Sequence, residues 1–171
     1  MPLPEMLVQS LKNMSYDKAE IKLINQGLED SHVEELVNLL TEYPNPKVIS
    51  LDLSSNNLRS ASGKLLGFLT QIKHLNLAHN KLGDEGAISL SSNRSLKTLN
   101  ASYNGLTNRS ANHLLSISNL SVNLEGNPQI TLPSVAMRLD VAAALSNLSR
   151  TKDTGIAEYA DEISRVRPEI K

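Results

Sequence analysis

The side chains best suited to chemistry in this chain are His74 and His79, with Ser50 and Asp52 upstream and Tyr103 downstream. Ser50, His74 and Asp52 have the residue types of a nucleophilic triad. The two imidazoles and the Asp52 carboxylate have the types of a metal site. Spacing argues against both. His74 and His79 stand at opposite ends of one short extended segment with no third imidazole nearby, whereas zinc wants three or four converging donors. Ser50, Asp52 and His74 fall on flat extended segments, which supply no oxyanion hole and no deep pocket. No Walker loop, dinucleotide fingerprint or HExxH helix occurs. The chain is therefore expected to be no enzyme and to use neither cofactor nor metal.

The elements that position these residues are written in a recurring frame. Residues 72–82, IKHLNLAHNKL, read as apolar, two variable, Leu, one variable, Leu, two variable, Asn, one variable, Leu. The same frame appears at 48–58 (VISLDLSSNNL) and 96–106 (LKTLNASYNGL), in degenerate form at 19–28 (AEIKLINQGL), and again from Leu120 (LSVNLEGNPQI). Its key polar positions, Gln26, Asn56, Asn80, Asn104 and Asn127, are separated by 30, 24, 24 and 23 residues. A fixed period of this size marks a stacked-repeat architecture. Two Leu residues two apart, such as Leu75 and Leu77, point to one side of a strand. The Asn stands where the chain leaves the strand, and its amide can both accept from and donate to backbone groups the turn leaves unpaired. Asn56, Asn80, Asn104 and Asn127 are thus expected to form a structural ladder. Each unit has room for one short strand and a few helical turns, and strand–helix units repeated in one hand give parallel strands. The expected fold is an α/β solenoid: a short horseshoe with a parallel concave β-sheet, convex helices and helical caps at both ends.

Three regions follow. Residues 1–18 are expected to be an N-terminal helical cap, with the helix over 4–13. Residues 19–130 hold about five repeats, with helical returns near 62–69, from Gly83, and near 108–117. Residues 131–171 are expected to be a C-terminal helical cap with helices at 134–148 and 156–166, the second of which is also a candidate to hold a partner. Ser31-His32-Val33-Glu34 has the form of a capping box at the start of the first long helix. Ala101 replaces a strand Leu and predicts a locally thinner core.

Outward-facing strand residues form three columns. The first is Glu20, Ser50, His74, Thr98 and Ser121. The second is Lys22, Asp52, Asn76, Asn100 and Asn123, and the third, near the turn, is Asn25, Ser55, His79, Tyr103 and Gly126. Most of these suit a solvated sheet face. Tyr is enriched at binding hot spots because it buries much area and keeps a hydroxyl to offer. The candidate partner-binding residues are Asp52, His74, Asn76, His79, Asn100 and Tyr103.

A net charge of −1 provides no global field to recruit nucleic acid or an anionic membrane. Aromatic residues make up 3% of the chain, so the core must be aliphatic. Cysteine is absent, and a reducing compartment is the simpler expectation. Residues 1–12 contain Glu5 and lack the apolar run of a signal peptide. No stretch approaches the roughly 20 apolar residues of a membrane span. The Asn-x-Ser sequons at Asn13, Asn93, Asn108, Asn119 and Asn147 are read as chance. The free protein is expected to be a monomer.

LDLSSNNL, LNLAHNKL and LNASYNGL resemble leucine-rich repeats. KLGDEGAISL (81–90) is similar to the strand-to-helix passage of ribonuclease-inhibitor-type repeats, in which a Gly-Asp-x-Gly-Ala segment starts the helix. The resemblance covers about residues 19–130. It implies binding of another protein through the concave face and its rims, and units of 24 imply brief helices. Small Asn-rich, cysteine-free proteins of this kind also resemble effectors that intracellular bacterial pathogens inject, which implies an intracellular site of action in the producing cell or a host. Fold does not fix function, so several expectations stand together. The first is a module that docks a partner protein, in sharper form inhibiting a partner enzyme by covering its active site. The second is an adaptor or targeting scaffold that binds through convex helices or the C-terminal cap. The third is an enzyme with an unrecognised site.

Overall fold

The computed structural model describes residues 3–13 and 15–131. The helices expected at 134–148 and 156–166, and a partner site on the second, lie outside the described residues. In chain order the elements are α1 (Glu5–Lys12), β1 (Glu20–Lys22), α2 (Asp30–Glu42), β2 (Ser50–Asp52), α3 (Ser60–Leu66), β3 (His74–Asn76), α4 (Gly83–Leu90), β4 (Thr98–Asn100), α5 (Asn108–Leu115) and β5 (Ser121–Asn123).

The five strands make one parallel sheet in the order β1-β2-β3-β4-β5. Each strand pairs over three residues, and the frame sets which of them faces inward. Ile21, Leu51, Leu75, Leu99 and Val122 are cross-strand neighbours and are at most 8% exposed. Leu53, Leu77 and Ala101 just beyond the strands, and Leu58, Leu82 and Leu106 after the bend, complete an aliphatic core. The α/β solenoid expected from the frame is the fold observed.

Repeat length sets helix length. The 30-residue first unit accommodates the 13-residue α2, whereas α3, α4 and α5 have seven or eight residues. Two local expectations shift. α3 begins at Ser60 and ends at Leu66, earlier than the expected return at 62–69. The capping pair of α2 is Glu29 and His32, not Ser31 and Glu34: the Glu29 amide donates to His32 Nδ1 at 2.9 Å. The helix starts two residues earlier than the Ser-x-x-Glu spelling suggests, and the imidazole takes the place of the expected carboxylate.

The Asn ladder forms, and each rung joins two repeats. Asn80 Nδ2 donates to the carbonyls of Leu53, Leu77 and Ala78 at 3.0, 3.0 and 3.3 Å, while its Oδ1 accepts from the Leu58 amide at 3.0 Å. Asn56 repeats the pattern towards the first unit, donating to Leu23 O and accepting from the Gln26 and Leu28 amides. Asn104 bridges back to Leu77 O and Leu82 N, and Asn127 to Ala101 O and the Asn104 and Leu106 amides. All four are at most 7% exposed. Gln26, at the head of the column, is exposed, and its side chain bonds only locally, to Ile24 O.

A second ladder runs along the helix starts. Asp30 Oδ1 accepts from the Arg59 amide at 2.8 Å and from Ser62. Asp84 accepts from the Thr107 amide at 2.9 Å and from the hydroxyls of Thr107 and Ser110, both at 2.5 Å. Asn108 accepts from the Thr131 amide at 2.9 Å. In each case a side chain at the start of one helix caps the corresponding turn of the next repeat. Burial works against the Asp84 carboxylate, but the hydrogen bonds from Ser110 and Thr107 outweigh it and hold its pKa below the ordinary aspartate value.

The returning loops are tied in the same way. Asn93 Nδ2 donates to Leu69 O at 3.0 Å and its Oδ1 accepts from Ser95 N at 3.0 Å. Asn45 Nδ2 donates to Tyr16 O at 2.6 Å. At the open edge of β1, the Tyr16 hydroxyl donates to Glu20 O at 2.6 Å, which satisfies a carbonyl that no strand pairs.

Candidate protein-binding face

The sheet register sets the first two outward columns side by side as the frame implied. Glu20, Ser50, His74, Thr98 and Ser121 are successive neighbours, as are Lys22, Asp52, Asn76, Asn100 and Asn123. The whole first column, with Asn76, Asn100 and Asn123 of the second, lines one groove that runs across the strands; Lys22 and Asp52 lie outside its lining.

The second column has a structural duty besides facing outward. Asp52 Oδ1 accepts from Ser54 N at 3.0 Å, Asn76 Oδ1 from Ala78 N at 3.1 Å, Asn100 Oδ1 from Ser102 N at 3.2 Å, and Asn123 Oδ1 from Glu125 N at 3.0 Å. Each is an Asx-turn, in which the side chain holds the amide two residues on. The turns feed the third column, three residues after the second. There Asn25, Ser55, His79 and Tyr103 adopt φ of 53°, 59°, 55° and 53°, and Gly126 adopts 67°. Left-handed backbone is costly for any residue with a Cβ. It persists because each amide is held by the next repeat: Ser55 N to Ala78 O at 2.8 Å, His79 N to Ser102 O at 3.0 Å, Tyr103 N to Glu125 O at 2.9 Å. One oxygen each of Asp52, Asn76 and Asn100 is therefore committed to the fold. Asp52 Oδ2 and the Nδ2 groups of Asn76 and Asn100 make no side-chain hydrogen bond among the described residues.

His74 and His79 are separated in role. His74 Nδ1 lies 2.9 Å from Thr98 Oγ1 on the adjacent strand. His79 stacks on Tyr103, with ring centroids 4.3 Å apart and planes 8° from parallel. Tyr103 is 46% exposed. Gly126 makes room for its ring: a Cβ there would lie 2.3 Å from Tyr103 Cε1. Thr98 and Gly126 were visible only as column members; their contacts depend on which way a ring leans across the repeat boundary. Ser50, Asp52 and His74 are not hydrogen-bonded to one another as a triad would be: Ser50 Oγ donates to Glu20, His74 Nδ1 lies against Thr98 and Asp52 Oδ1 against Ser54. Among the described residues, no group of three or more His, Asp or Glu side chains gathers as a metal site would. No described helix is long and apolar enough to cross a membrane.

The leucine-rich-repeat family model matches residues 45–67 and 69–91, which contain β2, α3, β3 and α4. No curated protein is similar enough to the chain to count as a match. Leucine-rich repeats in general mediate protein–protein interaction and typically serve as non-enzymatic binding scaffolds.

Proposed function

We propose that this leucine-rich-repeat solenoid docks a partner protein on the concave face of its sheet, through Asp52, His74, Asn76, His79, Asn100 and Tyr103. The observation that carries the reading is the register. Five strands bring three columns of outward residues together, and the central strands present an exposed aromatic stack beside amide and carboxylate atoms not used by the fold. Tyr and His rings beside unspent polar groups fit the make-up of interface hot spots. In its sharper form the partner is an enzyme whose active site this face covers. The helical return after each of β1, β2, β3 and β4 supports the ribonuclease-inhibitor type, and the absence of cysteine from the whole sequence suits action in a reducing compartment.

The test is affinity capture with mass spectrometry, comparing wild type with a variant carrying Tyr103→Ala, His79→Ala and Asp52→Asn. Asn at 52 keeps the Asx-turn acceptor, as Asn76 and Asn100 do. The variant is expected to lose the captured partner while its urea stability stays within about 1 kcal/mol of wild type. Full retention of the partner by the triple variant would sink the concave-face reading. Adding the protein to a captured enzyme and following turnover then tests occlusion.

A further inference from the structure

Resting on that docking face, we infer that the His79–Tyr103 stack is a shelf for an arginine side chain of the partner protein, which lies on the open face of His79 above Ser55 and pairs with Asp52.

The stack is closed on one side and open on the other. Tyr103 rests against Gly126, where even a Cβ would come within 2.3 Å of its ring. The opposite face of His79 looks along the third column towards Ser55, which is small and exposed. Successive parallel strands stand about 4.8 Å apart, and the two rings are 4.3 Å apart. A planar group added in the next layer, over Ser55, continues the stack at the same spacing.

Charge selects the group. The layer of Ser55 is also the layer of Asp52. Asp52 Oδ1 is held by the amide and hydroxyl of Ser54, which leaves Oδ2 with no hydrogen bond among the described residues. Lys22, the cross-strand neighbour of Asp52, is bonded to Glu20 at 2.9 Å. A guanidinium is planar enough to stack on the imidazole and has donors for the carboxylate at its edge. An ammonium would pair without stacking flat, and an aromatic ring would stack and leave Asp52 unmatched.

The backbone supplies an independent sign. His79 and Tyr103 sit at φ of 55° and 53°, and the same turn in the last repeat uses Gly126 at 67°. Glycine is the relaxed choice there. Asn25 and Ser55 hold the same left-handed turn without a ring, so the turn itself does not call for the two rings on this exposed rim.

The test follows the ring proton resonances of His79 and Tyr103 by NMR during titration with the blocked tripeptides Gly-Arg-Gly, Gly-Lys-Gly and Gly-Phe-Gly. The arginine peptide is expected to shift both rings saturably, and the other two to bind at least about fivefold more weakly. His79→Gly should weaken the arginine peptide about threefold to fivefold and Asp52→Asn about tenfold. Both variants should keep their fold, since Gly126 and Asn76 already occupy the equivalent positions. Lysine or phenylalanine binding as well as arginine, no saturable shift, or variants equal to wild type would overturn the assignment. Binders selected from a displayed dodecapeptide library separate this inference from the docking proposal. Binders that need Tyr103 but carry no arginine overturn the arginine site and leave the docking face standing. Binders indifferent to every concave variant overturn both.

Discussion

Asn80 shows how much one side chain can do in a repeat. Its amide satisfies three carbonyls and one amide, in its own unit and the one before, inside a site only 7% exposed. Asn80→Ala strands the buried Leu58 amide, which costs on the order of 1–3 kcal/mol, and removes one donor from each of the carbonyls of Leu53, Leu77 and Ala78, which keep Asn56 Nδ2, Asn104 Nδ2 and the Ser55 amide. The expected loss is about 3 kcal/mol in urea unfolding followed by circular dichroism. Asn80→Asp should be at least as damaging at neutral pH, because a carboxylate would face the carbonyls of Leu53, Leu77 and Ala78. Asp84 makes the complementary case. Its folded pKa is lowered, so the native state binds fewer protons than the unfolded chain. Its contribution is present above the unfolded value, about 3.9, and is lost as pH falls through the folded one. The urea midpoint of wild type should therefore fall more steeply between about pH 5 and pH 3 than that of Asp84→Asn.

Among the elements, α3 and α4 meet backbone to backbone. A Cβ on Gly63 would lie 2.3 Å from Gly86 O, and one on Gly86 would lie 2.9 Å from Ser60 Cα. Two effects oppose each other at Gly63. Alanine favours a helix interior over glycine by about 1 kcal/mol, while overpacking against fixed backbone costs about 1–3 kcal/mol. At 2.3 Å the clash decides the sign, so Gly63→Ala should lower the thermal midpoint by several degrees, with Gly86→Ala acting in the same direction. A stabilised Gly63→Ala would show that the helices can part without cost. The close approach rests on the absence of a side chain at both crossing positions, Gly63 and Gly86.

For the molecule as a whole, the side-chain ladders connect each repeat to its immediate neighbours. The Asn rungs, the Asp30, Asp84 and Asn108 caps, and the Asn45 and Asn93 loop ties all reach one unit back or one unit on. Stability should then behave as a sum of units and nearest-neighbour terms. In hydrogen exchange, Asn80→Ala is expected to lower amide protection around β2 and β3 first and to leave β5 closer to wild type. Uniform loss of protection across all five strands would instead show one cooperative unit.

The frame in the sequence determined the strands, their parallel order, the inward Leu and Ile positions, the Asn ladder and the membership of each outward column. It could do so because those features follow from the period of the chain: side-chain alternation is local, and stacking repeats it in register. The Asx-turn at Asp52, Asn76 and Asn100 was also within reach, since an acidic or amide residue stands three places before Ser55, His79, Tyr103 and Gly126, with Lys22 before Asn25 as the exception. Only the tertiary structure decided the contacts that cross repeat boundaries without a repeating residue type. The capping of one helix start by the preceding Asp, the Gly63–Gly86 approach and the stacking of His79 on Tyr103 over Gly126 are of this kind. They depend on how far apart adjacent units sit and which way each side chain leans, and neither distance nor lean is encoded within a single repeat.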